Sequence, residues 1–170
     1  MDVSAETTGF TELDAGLHVI FLAEGAELSP ALAETPGASD AKSGFKKLTV
    51  ACEGERRIAI VGLGKSGELT PERLRIAGAL IAAEAGRREA TSIVVDLEPL
   101  EGSSVELPDA SAALAEGTIL GSYRFDRFRS TDPDDPTPPA LESLVFAGAS
   151  GAEAFESSLA RARISAEAQN

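Results

Sequence analysis

Ile58-Ala59-Ile60-Val61-Gly62-Leu63-Gly64-Lys65-Ser66-Gly67-Glu68-Leu69-Thr70-Pro71-Glu72-Arg73-Leu74 decides the fold. Ile58 to Val61 is continuously apolar, as a strand buried on both faces should be. Thr70 then suits a helix N-cap and Pro71 the first helical position, where a missing N–H costs nothing. Leu74, Ala77, Ile81 and Ala85 recur at helical spacing, and Ile76 and Leu80 widen the stripe, so the helix should lie on a sheet. A strand that feeds a helix through a short connection is the repeating unit of an α/β fold.

Upstream, Leu48 to Cys52 and Arg57 to Val61 flank the acidic turn Glu53-Gly54-Glu55 and read as a β-hairpin. Leu17 to Ala23 is a second buried strand, followed by a short helix capped at Ser29 with Pro30 at its first position. Residues 35–44 read as an exposed loop by composition. Downstream, Ser92 to Leu97 is the next strand. Asp109 or Ser111 can cap a helix through Leu120, in which Ala113, Gly117 and Gly121 form a stripe of small residues suited to close helix packing. Residues 131–139, rich in Pro and Asp, form an exposed connection. Leu141 to Ala147 reads as the last strand and Ala152 to Ala168 as a terminal helix. Helices alternating with strands predict a mixed, mostly parallel sheet flanked by helices, in a single domain over residues 1–170.

Composition narrows the chemistry. The 170 residues carry 28 Asp and Glu against 15 Lys and Arg, a net charge of -13, which repels a phosphate backbone unless one face is locally basic and disfavours anionic membranes for the same reason. His18 and Cys52 are the only residues of their kinds. A structural zinc site takes four Cys or His ligands and a catalytic one usually a His, so neither is assembled within this chain. The carboxylates show no calcium-loop spacing. One Cys forms no internal disulfide, the N-terminus has no signal-peptide pattern, and no apolar run reaches ~20 residues, so a cytoplasmic location is expected.

Gly62-Leu63-Gly64-Lys65-Ser66-Gly67 satisfies G-x-G-x-x-G after a strand, and Gly62, Gly64, Lys65 and Gly67 are the candidates for a phosphate loop. Two features oppose that reading. The helix cap comes only at Thr70, and the acidic residue expected ~20 positions on is replaced by Arg87 and Arg88, Asp96 arriving late. A glycine-requiring strand-to-helix turn is the plainer reading. Ala59 stands where a P-loop needs its first glycine, which excludes that motif. His18 sits in an apolar strand, as a structural histidine does, and Cys52 ends a strand beside Glu53 and Glu55, which disfavour a thiolate. Tyr123, Arg124, Phe125, Arg127 and Phe128 form an aromatic and basic cluster. It suits packing at a helix end or a protein interface. Nucleic-acid stacking would use the same residues but is opposed by the acidic balance.

The segment Glu116-Gly117-Thr118-Ile119-Leu120-Gly121-Ser122-Tyr123-Arg124-Phe125-Asp126-Arg127-Phe128-Arg129-Ser130 resembles the one that closes the N-terminal domain of leucyl (cytosol) aminopeptidases, the M17 metallopeptidases. Leu17 to Leu32 resembles that domain's first strand and turn. Ile58 to Leu80, with Val61 to Lys65 followed by Leu69 to Arg75, resembles its central strand, loop and helix, and Ala160 to Asn170 the start of its linker helix.

The resemblance implies a macro-domain-like three-layer sandwich without peptidase chemistry of its own. In the family, N-terminal amino acids are removed at two divalent metal ions, zinc or manganese. Lys, Asp and Glu residues of a separate C-terminal domain bind them around an Asn-Thr-Asp-Ala-Glu-Gly-Arg motif, which this sequence lacks. No catalytic or metal-binding residue is therefore assigned here. The expected partners are the family's own catalytic domain, absent from these residues and approached by the helix in 151–170, and further copies in a hexamer. The expected role is in assembly and active-site access. The alternative is a stand-alone macro-like module that binds a nucleotide or ADP-ribose through Gly62 to Gly67.

Overall fold

The computed structural model describes residues 1–123, 139–149 and 152–169, with nothing said of the side chains of residues 152, 153, 167 and 169. Six strands, β1 (Asp2–Ala5), β2 (Leu17–Ala23), β3 (Leu48–Glu53), β4 (Arg56–Gly64), β5 (Ser92–Asp96) and β6 (Ser143–Ala147), form one sheet in the order β1-β6-β5-β2-β4-β3. All neighbours are parallel except the β3–β4 hairpin. Among the described residues the helices are α1 (Pro30–Ala33), α2 (Pro71–Arg87), α3 (Leu107–Ser122) and α4 (Ala152–Gln169). This is the α/β class, with the mostly parallel sheet, that the strand and helix pattern predicts.

The order of strands explains which face each connection covers. The steps from β4 to β5 and from β5 to β6 run one way across the sheet, and those from β1 to β2 and from β2 to the hairpin run the other way. Right-handed crossovers send the two groups to opposite faces. Accordingly Leu17, Val19 and Phe21 of β2 share a core with Leu74, Ile81, Leu114, Phe155 and Leu159 of the long helices. Leu22 instead packs with Leu32, Ala38, Ile58 and Ile60 beneath α1. The strap formed by residues 6–16 is fixed at both ends. Glu6 N donates to Phe146 O at 2.9 Å and Gly148 N to Thr8 O at 3.1 Å, while Arg56 Nη2 donates to Thr11 O at 2.9 Å.

The stripe of small residues works as expected. A Cβ on Gly117 would overlap the carbonyl of Arg75, and one on Gly78 that of Leu114, so α2 and α3 touch backbone to backbone. Thr118, buried between them, donates its hydroxyl to Leu114 O at 2.8 Å and reaches Gly78 O at 3.3 Å.

Three local expectations change. Helix α3 starts before Asp109 and Ser111, with Pro108 in its first turn; Ser111 is internal and donates its hydroxyl to Pro108 O at 2.8 Å. Residues 35–44 are not uniformly exposed, because a 3-10 turn at Ala38–Asp40 buries Ala38, and Thr35 is buried beside it. Strand β1 has no counterpart in the sequence pattern. Of the 131–139 connection only Pro139 lies within the described residues, and it is exposed.

Candidate functional site

The glycines of the 62–67 segment turn out to serve different purposes. Gly62 and Gly64 belong to β4 itself. A Cβ on Gly62 would overlap the carbonyl of Gly44, so glycine is needed there for close approach, not for a turn. Gly64 alone takes a left-handed conformation, at φ 74°. Gly67 has open space around it and an ordinary φ.

The same contacts engage two of the amides that a phosphate would need. Gly62 N donates to Lys47 O at 2.8 Å and Gly64 N to Ser43 O at 2.7 Å. One amide at the start of α2 is likewise engaged, since Arg73 N donates to the Thr70 hydroxyl at 3.3 Å. Lys65 points to solvent from the start of a 3-10 turn over Ser66–Glu68. The arrangement is a packed strand end rather than a phosphate cradle.

In open parallel sheets ligands bind outside the carboxyl ends of strands whose connections diverge to opposite faces. Here those ends are β2 and β5, and they carry acids. Asp96 is half-buried and accepts from Glu98 N at 3.0 Å. Its pKa is raised by burial, and the charges of Glu98 and Glu101 act in the same direction against that hydrogen bond. Exposed Glu24 follows β2. Such an edge opposes a pyrophosphate.

His18 is buried in β2. Its Nε2 lies 3.0 Å from the Leu13 carbonyl, which can only accept, so that nitrogen carries the hydrogen; Phe10 meets the ring edge-on at 5.4 Å. Burial lowers its pKa. The imidazole pins the 6–16 strap, as a structural histidine would. Cys52 is an exposed free thiol at the end of edge strand β3. Tyr123 is 51% exposed at the end of α3. Arg124, Phe125, Arg127 and Phe128 lie outside the described residues.

A groove of about 480 Å3 runs between the start of α2, α3 and α4. Within it Arg75 Nε donates to Glu116 Oε2 at 2.6 Å, and the Ser165 hydroxyl donates to Glu116 Oε1 at 3.0 Å. Hydrogen bonding to Glu116 raises the pKa of Arg75. This three-helix link was not legible in the sequence, because Glu116 lies far along the chain from both partners. Its chemistry is that of a clamp, each charge meeting its complement. Among the described residues no three His, Cys, Asp or Glu side chains converge so as to hold a metal ion. Nor, among them, is any helix long and apolar enough to cross a membrane.

Comparison with known proteins agrees with this geometry. The profile of the cytosol aminopeptidase family, N-terminal domain, matches residues 19–132. Leucine aminopeptidase 3, chloroplastic, of Arabidopsis thaliana is 36% identical over 96 residues, 56% of this chain and 16% of that protein. A probable cytosol aminopeptidase of Desulfotalea psychrophila is 36% identical over 111 residues, 64% of this chain and 21% of that protein. A solved tomato leucine aminopeptidase mutant superposes with a TM-score of 0.78 at 25% identity, covering 96% of this chain and 35% of that one. The bottromycin maturation enzyme BotP in complex with Mn shares the fold, with a TM-score of 0.70 at 24% identity over 91% of this chain and 30% of that one. The matches thus span only about a sixth to a fifth of the length of these curated relatives. It belongs to the cytosol aminopeptidase family, and its residues form that family's N-terminal domain.

Proposed function

We propose that this domain is the non-catalytic part of a leucine aminopeptidase-type exopeptidase, acting in assembly and in access to an active site built elsewhere. The observation that carries the reading is the coverage: the fold accounts for 96% of this chain but 35% of the tomato enzyme. The removal of N-terminal amino acids, and the two divalent ions that support it, belong on this reading to the catalytic domain. The described side chains do not fit a metal ion, so no chemical step is assigned to them. The exposed apolar side chains Tyr123 and Ile164, at 51% and 69%, are surface that a neighbouring domain or copy would cover. A cytoplasmic setting suits the single free thiol of Cys52.

The test is a chimera in which this chain replaces the matching N-terminal segment of the tomato enzyme. Retained turnover of Leu-p-nitroanilide and an unchanged mass by light scattering are expected, with loss of assembly when the segment is deleted. Turnover by the 170-residue chain alone, supplied with Mn²⁺ or Zn²⁺, would overturn the proposal.

A further inference from the structure

All four lysines of the chain, Lys42, Lys46, Lys47 and Lys65, meet at one corner of the domain. Three sit on the loop before β3 and the fourth follows β4. The loop is laid onto the strand by the Gly62 N to Lys47 O and Gly64 N to Ser43 O bonds, at 2.8 and 2.7 Å. Arg73 joins them: its guanidinium stacks 4.8 Å from the centre of the Phe45 ring, and Lys46 Nζ lies 5.6 Å from the same ring. The four lysine side chains are exposed. Lys46 holds a left-handed φ of 65° in a turn closed by Lys47 N donating to Gly44 O, a position that ordinarily selects Gly or Asn.

The cations elsewhere behave differently. They are all arginines, and many sit on the domain's own carboxylates: Arg75 on Glu116, Arg88 on Glu84, Arg56 near Glu53. At the corner, among the described residues, only Arg73 is paired, with Glu68 at 2.8 Å. Among the described residues no carboxylate lies within ion-pair distance of any of the four lysines. The net charge of -13 leaves acids in excess, yet none of the described ones pairs with these lysines.

We propose that this corner docks a short, carboxylate-rich segment of another polypeptide. An extended polyanion, nucleic acid or membrane, would have to continue past the corner along a domain whose net charge of -13 repels it. A short acidic segment meets only the lysines. Flexible ammonium groups supply point charges without the rigid fork that selects phosphate geometry, and Phe45 adds a half-exposed apolar floor. The inference is independent of the aminopeptidase reading.

The test is fluorescence polarisation of a labelled Glu/Gly decapeptide with the whole chain, beside an oligothymidylate of equal charge and phosphatidylserine vesicles. Binding of the peptide is expected at about 20 mM salt and its loss at about 200 mM. Combined Lys42→Ser, Lys46→Ser and Lys65→Ser should weaken it about tenfold or more, with circular dichroism unchanged. Arg57→Ser with Arg163→Ser, which removes exposed cations elsewhere, should leave it within about twofold. No peptide binding, binding indifferent to the lysine substitutions, or tighter lysine-dependent binding of the oligonucleotide or vesicles would overturn the proposal.

Discussion

The backbone carbonyl of Arg75 in α2 occupies the space where a Cβ on Gly117 of α3 would stand. Gly117→Ala therefore forces two helices apart at a point where neither backbone can yield. Overpacking costs ~1–3 kcal/mol, more against backbone, and the helix-propensity gain of ~1 kcal/mol offsets only part of it. A net loss of about 2 kcal/mol is expected in urea unfolding. Gly86→Ala, in the same pair of helices but facing open space, should stabilise by about 0.5–1 kcal/mol. Equal effects of the two substitutions would show that the close approach is not a constraint.

Glu116 ties α3 to α2 and α4 through Arg75 and Ser165. Its carboxylate is nearly buried, while the Arg75 side chain is 40% exposed, so solvent screening reduces the charge contribution. Glu116→Ala is expected to cost about 1–2 kcal/mol, and Glu116→Gln less, since an acceptor remains. A double-mutant cycle with Arg75→Ala should show positive coupling; strict additivity would mean that the pair contributes nothing.

His18 gives stability a pH dependence of defined sign. Burial lowers its folded pKa below 6.5, with the Arg56 charge acting likewise and the Leu13 hydrogen bond, Asp14 and Glu53 opposing. The unfolded chain thus takes up the proton first. Stability falls as pH drops through about 6.5 and levels off below the folded pKa. Unfolding measured from about pH 7.5 to pH 5 should show a shallower slope for His18→Gln than for the unsubstituted chain.

Asp96 has the opposite sign. Its folded pKa is raised above the ordinary carboxylate value, chiefly by burial. The ionised form therefore costs stability at neutral pH, and the cost is relieved as pH falls through the folded pKa. Asp96→Asn keeps the acceptor for Glu98 N and should raise the urea midpoint at pH 7. The gain should vanish below about pH 4, and a lower midpoint at pH 7 would refute the assignment.

The sequence announced those features whose cause is local. Ser29 with Pro30, and Thr70 with Pro71, mark helix starts because caps and first-turn prolines act within four residues. The buried runs of β2, β4 and β5 are continuous because both faces are covered. Features with distant causes were hidden. Asp2 to Ala5 has one buried apolar residue, Val3, and becomes a strand only by pairing with β6. Gly62 looked like turn chemistry because nothing in its own neighbourhood reveals that Gly44 lies on it. The lysine corner was invisible as a cluster because Lys65 is brought to the other three by the sheet.

The pairing of β1 with β6 sets a constraint on the order of synthesis. Residues 2–5 pair with residues 143–146, so the earlier segment stays unpaired until the later one has been synthesised. Until then β5 has no strand on its β6 side, and the nascent domain exposes an open sheet edge, a template for wrong pairing. Closing so long a loop costs conformational entropy that local contacts cannot recover early. Folding to the native sheet is therefore completed only after the chain has emerged past residue 147.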